Sequence, residues 1–350
     1  MKLDLKNIKE NISKEQILGR VSSQYRDIYK VIVNDIEVLA KVSGKYMYNT
    51  YSKEDYPVVG DYVLLDRDDD KTGNAIIKKI IDRKTILKRK NINNGQNEVL
   101  ATNIDYIFIC MSLNNDFNLR RLERYIAVCY ESGAIPIIIL TKYDLCNDIE
   151  IKVNEVENIA IGIDVLTVSN KDENSIKNVL KYLKNGITAC FIGSSGVGKS
   201  TLINNLLRRE QLETNGIRND DKGRHTTTRR ELFILENQSV VIDTPGMREL
   251  SVDVEDLDKS FLDIKDLENM CKFSDCTHTT EPQCAIKQAI DSGQLCPKRY
   301  ANYLKLKQES KYINLNFKEV EKEKIKKMFG SKNEYKNMTR HIKNKNRNMY

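Results

Sequence analysis

Ala189-Cys190-Phe191-Ile192-Gly193-Ser194-Ser195-Gly196-Val197-Gly198-Lys199-Ser200-Thr201 is the stretch whose reading decides the fold. An apolar run from Ile187 to Ile192 reads as a buried strand. A glycine-rich turn follows, and then a helical pattern through Leu202, Ile203, Leu206 and Leu207. The turn matches G-x-x-x-x-G-K-[ST], the phosphate-binding loop. Glycines let the backbone wrap a phosphate chain with its N–H groups pointing inward. The helix that begins near Lys199 adds the positive end of its dipole. Lys199 would reach the outer phosphates, and the Ser200 hydroxyl would ligate Mg²⁺. Gly193 through Thr201 are therefore candidate nucleotide-binding residues.

Two further motifs extend the site. Asp243-Thr244-Pro245-Gly246 ends an apolar strand. An aspartate there can hold Mg²⁺, and the Gly246 N–H can meet a terminal phosphate. Thr141-Lys142-Tyr143-Asp144 follows the apolar run Pro136 to Leu140. This stretch resembles the guanine-reading [NT]-K-x-D box of GTPases. A carboxylate at Asp144 can accept from both guanine N1–H and N2–H₂, a donor pair that adenine lacks, while the Lys142 stem can lie along the base. Thr167-Val168-Ser169 resembles the loop that backs the base, with Asn170 where a small residue is more usual. Ordinary GTPases place the phosphate loop first and the base box last. Here the base box at 141 and its backing loop at 167 precede the phosphate loop at 193 and Asp243. The order is that of a circularly permuted GTPase domain.

The chain has 350 residues, enough for two or three domains with a real core. With 57 Lys+Arg against 50 Asp+Glu its formal charge is +7, a mild pointer to an anionic partner. Met1-Lys2-Leu3-Asp4-Leu5-Lys6 carries no apolar signal region. No apolar run approaches the roughly 20 residues of a membrane span. A cytoplasmic chain with no membrane partner is the expectation, so its eight cysteines do not argue for disulfides. Cys110, Cys129, Cys146 and Cys190 sit singly in apolar segments and read as core residues.

Outside the phosphate loop, the chain expected is a multidomain α/β protein. Short strands fill residues 15 to 85: Tyr29 to Val33 and Ile36 to Val42 around a turn at Asn34-Asp35, then Tyr62 to Leu65 and Ala75 to Ile81. They predict a small β-barrel of the OB type over 1–86, although an SH3-like barrel would give a similar pattern. Arg83-Lys84, Lys88-Arg89-Lys90 and Asn91 to Asn97 read as a basic, polar linker. From 98 to 255 strands alternate with helices: Ile104 to Met111, helix Leu119 to Tyr130, then the motif-bearing strands already named, with helix Ser175 to Leu183 before the phosphate loop. Leu232 to Leu235 and Val240 to Ile242 follow. This alternation predicts a mostly parallel sheet with helices on both faces. Residues 256–350 read as a helical, polar, metal-binding domain with a basic end, ten Lys/Arg against two Glu from Lys322 to Tyr350.

Cys271-x4-Cys276-x-His278-x5-Cys284 offers three thiolates and an imidazole within fourteen residues. That set suits one tetrahedral structural Zn²⁺ with no open position. Cys296, twelve residues on, is not expected to be a ligand.

The barrel, the permuted GTPase, Gly223-Arg224-His225-Thr226-Thr227-Thr228 and the Cys/His module together resemble the RsgA (YjeQ/YloQ) family of GTPases. The Cys/His spacing departs from common zinc-finger patterns but is similar to that family's zinc motif. The resemblance implies a late-acting assembly or checkpoint factor that binds the small ribosomal subunit and its rRNA. Its GTPase would be stimulated by that subunit, and it is expected to act as a monomer. Asn215 to Gly223 reads as a mobile switch, and one of Thr226, Thr227 or Thr228 would complete the Mg²⁺ ligation. Met247 stands where Ras-like enzymes carry a water-orienting glutamine, so slow intrinsic hydrolysis is expected. His225 is the available substitute, which the resemblance also implies, and with Lys199 it is a catalytic candidate. The rival readings are a P-loop ATPase or kinase, and an RNA-binding structural protein with a vestigial nucleotide site.

Overall fold

Alternation with period two builds the N-terminal unit. Tyr29, Val31 and Val33, then Val38 and Ala40, Val63 and Leu65, and Ala75 and Ile77 all turn into one small core with Val21. The computed structural model, which describes residues 16–50, 52–90, 97–208, 230–244, 257 and 260–311, shows these residues lining a closed barrel. Its strands are β1 (Ile17–Tyr25), β2 (Ile28–Val33), β3 (Ile36–Val42), β4 (Tyr62–Leu65) and β5 (Ala75–Ile80). The order runs β1-β2-β3-β5-β4 and closes through β1–β4, with β3 and β5 parallel and every other pair antiparallel. This five-stranded barrel is OB-like. Asn34 and Asp35 both take positive φ, 47° and 75°, as a two-residue hairpin turn with the strands' own twist requires.

Residues 83–97 do not form the simple linker expected from their charge. β6 (Ile86–Lys90) and β7 (Asn97–Thr102) pair antiparallel, with Leu87, Val99, Leu100 and Ala101 buried. The cations that disguised the hairpin are used internally. Arg83 meets the fully buried Asp61 at 2.7 Å, Lys88 meets Glu54 at 2.7 Å and Arg89 meets Glu98 at 2.8 Å.

The central sheet consists of β8 (Tyr106–Ser112), β9 (Ile135–Thr141), β10 (Val165–Val168), β11 (Thr188–Gly193), β12 (Glu231–Ile234) and β13 (Val240–Asp243). Its order is β10-β9-β8-β11-β13-β12, parallel except for β12. A parallel sheet must be covered on both faces, and strand alternation does this here. Ile107, Ile109 and Met111 face one core; Phe108 and Cys110 face the other. Helix α2 (Leu119–Ser132) closes the first face with Leu122, Tyr125, Ile126 and Cys129. It starts where the Asn118 side chain accepts from the Arg121 N–H, and ends at left-handed Gly133. The shorter helix α1 (Gly44–Asn49) belongs to the barrel. α3 (Ile149–Ile159) adds Val156 to the first face. α4 (Glu173–Leu180) and α5 (Lys199–Leu207) cover the second face with Ile176, Val179, Leu202, Ile203, Leu206 and Leu207. The phosphate-loop strand β11 lies mid-sheet, beside β8, which comes first of the six in sequence. The barrel joins the sheet through one antiparallel pairing, Ser23 of β1 with Glu231 of β12.

Helices α6 (Leu262–Asn269), α7 (Ala285–Asp291) and α8 (Pro297–Lys311) share the apolar core on the α2 side through Phe261, Ile264, Ile286, Ala289, Tyr303 and Leu306. A buried polar knot fixes this packing. Arg299 reaches Glu123 of α2 and lies 2.8 Å from Asp263, and Asn302 donates to Glu123. Burial pushes the Glu123 carboxyl up, although the Arg299 charge and the Asn302 amide pull it down. Arg299→Ala would leave that carboxylate buried without its cation, a loss of about 3–5 kcal/mol. Denaturant melts should show it as a large fall in midpoint; an unchanged midpoint would mean that the knot adds no stability.

Candidate functional site

At the C-terminal ends of β11, β13, β8 and β9 the quoted motifs converge, because parallel strands deliver their following loops to one edge. Gly193 is at φ +148°, and a Cβ there would come within 2.4 Å of the Cys110 carbonyl oxygen. Only glycine lets β11 turn this close to β8. Gly198 at φ +99° caps α5, so the helix begins at Lys199 as the sequence predicts. Lys199 is 6% exposed, and its Nζ donates to the carbonyls of Gly193 at 2.9 Å and Ser194 at 2.8 Å. Burial pushes the Lys199 ammonium down from its ordinary range, and the Asp243 charge opposes that shift. Asp243 ends β13, fully buried and in register with Phe191 of β11. Val197 anchors the loop in the second core, Ser194 is buried, and Ser195, Gly196, Ser200 and Thr201 are partly or fully exposed at the loop and helix start.

The base box is clamped to the phosphate loop. Thr141 Oγ1 donates to the Val197 carbonyl at 2.6 Å, and Lys142 Nζ donates to the Gly196 carbonyl at 2.7 Å. Lys142 takes a left-handed φ of 58°, which turns the chain into the short 3₁₀ segment Tyr143–Leu145. Tyr143 OH donates to Asp172 at 2.8 Å. Asp144 accepts from Ser169 Oγ at 2.8 Å, so the predicted backing loop does meet the base-reading carboxylate. Lys171 Nζ lies 2.8 Å from its other oxygen. The Lys171 ammonium and then the Ser169 hydroxyl hold Asp144 below the usual carboxylate range, and so keep it an acceptor at neutral pH. Asn170, the unusual residue of that loop, accepts from Asn205 of α5 at 3.1 Å.

A second cluster lies in the C-terminal helices. The ligand atoms of Cys271, Cys276, His278 and Cys284 all fall within 4.8 Å of one another. His278 Nδ1 is 3.5 Å from Cys271 Sγ and 3.4 Å from Cys284 Sγ, and those sulfurs are 4.0 Å apart. Bonds of about 2.3 Å to sulfur and 2.0 Å to nitrogen give tetrahedral edges of roughly 3.5–3.8 Å, so the donor set fits one such ion. His278 takes a left-handed φ of 59° and its Nε2 lies 3.9 Å from Glu268, a carboxylate placed to orient the ring. Burial raises the Cys271 thiol, but the N–H groups of Ala285 and Ile286 at the start of α7 more than offset it. The cluster could hold a metal. Cys296 is exposed and outside it, as expected.

A base box, its backing loop and a phosphate loop in one site, with the base box ahead in sequence, make a permuted guanine-nucleotide site. The family described as RsgA GTPase matches residues 80–253. The small ribosomal subunit biogenesis GTPase RsgA 2 of Lactiplantibacillus plantarum is 46% identical over 93% of this chain and 93% of its own length. The chain belongs to the RsgA GTPase family. The RsgA protein of Methanosarcina acetivorans, also named a small ribosomal subunit biogenesis GTPase, is 40% identical over 92% of this chain and 88% of its own. Among solved structures, YjeQ from Thermotoga maritima matches with a TM-score of 0.62 at 26% identity, over 84% of this chain and 98% of that one. YloQ, titled a circularly permuted GTPase, gives 0.61 at 26%, over 88% and 99%. RsgA-type features at His225, Thr226, Thr227, Thr228, Gly246 and Met247, and the switch from Asn215 to Gly223, lie outside the described residues. Sequence reasoning missed one contact here: Ser194 Oγ donates to Asp116 Oδ2 at 2.5 Å. Asp116 sits in no motif, and only its following Asn118 cap signals an ordered loop.

Proposed function

We infer that the clamped base box and phosphate loop bind GTP, and that the chain is a GTP hydrolase of small ribosomal subunit biogenesis. The observation that carries this reading is the pair of contacts from Thr141 and Lys142 to the phosphate loop, with Asp144 ionised beside Ser169. They bring a guanine acceptor and a phosphate cradle into one site. Gly193 through Ser200 cradle the phosphates, Lys199 moves from its carbonyl partners to their outer oxygens, and Tyr143 braces the base loop through Asp172. Ser200 and Asp243 are the oxygen donors suited to Mg²⁺, which neutralises phosphate charge when bound. His225 positions the attacking water in place of a glutamine, and the Gly246 N–H meets the terminal phosphate. Zn²⁺ occupies the Cys271, Cys276, His278 and Cys284 cluster as a structural ion. The partners are GTP, GDP and the small subunit with its rRNA, met in the cytoplasm by a monomer. Among the described residues no helix is long and apolar enough to cross a membrane.

Base selection tests this reading. Asp144→Asn presents one amide donor where guanine also donates, and loses a charge-assisted pair worth about 1.5–3 kcal/mol. Calorimetry should show GTP and GDP binding weakened by about 10–100-fold, with ATP weak in both proteins. Equal affinity of the wild type for ATP and GTP would instead support a P-loop ATPase.

A further inference from the structure

The phosphate loop has a second anchor besides the base box. It comes from the loop between β8 and α2. Ser194, 2% exposed, sits where water cannot satisfy its hydroxyl, and the acceptor it finds is the Asp116 carboxylate, 78 residues earlier. An O–H to carboxylate bond of 2.5 Å is charge-assisted and among the stronger kinds. The carboxylate is itself fixed. Arg121 of α2 lies 2.9 Å from its other oxygen and also donates to the Asp116 carbonyl. Asn114 holds the loop from the far side, accepting from the Asp116 N–H at 3.1 Å and from Ser112 Oγ at 2.7 Å. The Asn118 cap then starts the helix. A carboxylate near a phosphate site would ordinarily repel the ligand, but Arg121 neutralises this one, so the loop gains an anchor at little electrostatic cost.

Ser194 also matters for Lys199. Its carbonyl is one of the two that hold the Lys199 ammonium, and the Asp116 charge favours the charged form of that lysine. A loop that moves at Ser194 therefore moves the resting place of the group that must meet the outer phosphates. Misplacement of such a group by about 1 Å can cost on the order of 100-fold.

We propose that Asp116 is a positioning residue of the nucleotide site, which fixes the phosphate loop through the Ser194 hydroxyl. This rests on the GTP-binding reading, and wild-type affinity for GDP separates the two: no GDP binding by the wild type removes that reading, whereas the comparisons below remove only the role of Asp116. The experiment is equilibrium binding of fluorescent GDP to full-length variants, with melting temperatures recorded beside it. Asp116→Ala is expected to weaken GDP about tenfold or more, the range of a hydrogen bond to a charged group. Ser194→Ala, a mild change at a small buried residue, should weaken it by the same factor. The double variant should be no weaker than either single one, because both remove one contact. Asp116→Asn retains an acceptor for Ser194 and should recover most of the affinity, which a purely structural destabilisation would not predict. GDP affinity within twofold of wild type in Ser194→Ala, additive losses in the double variant, or a loss in Asp116→Asn as large as in Asp116→Ala would each overturn the proposal.

Discussion

Lys199→Ala is expected to lower GTP turnover by about 10²–10³-fold, the usual cost of removing one preorganised charge partner from a transition state. Lys199 is nearly buried, is held by two carbonyls, and lies in the field of Asp243. Its site was desolvated before any ligand arrives, so the ammonium acts in a low-dielectric setting where each charge contact is worth more than in water. Alanine removes that charge and leaves the fold intact, because the Gly193 and Ser194 carbonyls can bond water. Ser200→Ala should give a loss of similar order, since its hydroxyl is the Mg²⁺ donor on the helix start. Steady-state phosphate release under saturating GTP is the measurement. Unchanged turnover in both variants would remove the catalytic roles and favour a vestigial nucleotide site.

The second large effect lies in the Cys/His cluster. Protein purified without chelator is expected to carry one zinc per chain, and Cys276→Ser or His278→Ala should lose it. The four ligand atoms within 4.8 Å of one another join a segment whose other ties are short-range, chiefly Thr277, Thr279 and Thr280 around Glu281. Ligand bonds worth about 10–16 kcal/mol in isolated zinc modules would hold that segment in place. Metal analysis and amide exchange over 270–284 read the outcome together. Absence of zinc from the wild type, or exchange unchanged in the variants, would contradict a structural zinc site.

Much of this architecture is legible in the sequence because its chemistry is local. The phosphate loop, the Asp144 box and Asp243 each declare themselves in a few residues, and their order alone reveals the permutation. Asn34-Asp35 marks its hairpin because few residues accept positive φ at both turn positions. The β6–β7 hairpin is hidden because its cations resemble a solvated linker, and only the fold supplies Asp61, Glu54 and Glu98 as partners. Arg299 and Glu123 are separated by 176 positions, and Asp116 and Ser194 by 78. Such contacts follow from topology and leave no trace in spacing. The single pairing that joins barrel and sheet, Ser23 with Glu231, is equally invisible in the chain.

The central claim is that this GTPase works on the small ribosomal subunit. Single-turnover GTP hydrolysis with and without saturating purified small subunits tests it most directly, for the wild type and for His225→Ala. The expected result is slow hydrolysis by the free protein, because Met247 cannot orient water. Subunits should accelerate it by at least about tenfold, within the 10²–10⁴ range of a well-placed proton-handling group. Binding should weaken as salt rises, as Lys and Arg contacts to RNA phosphates release counterions. His225→Ala should still bind GTP and the subunit while losing most of the acceleration; full acceleration in that variant would make the histidine structural. A wild-type rate that is the same with and without subunits would contradict the account.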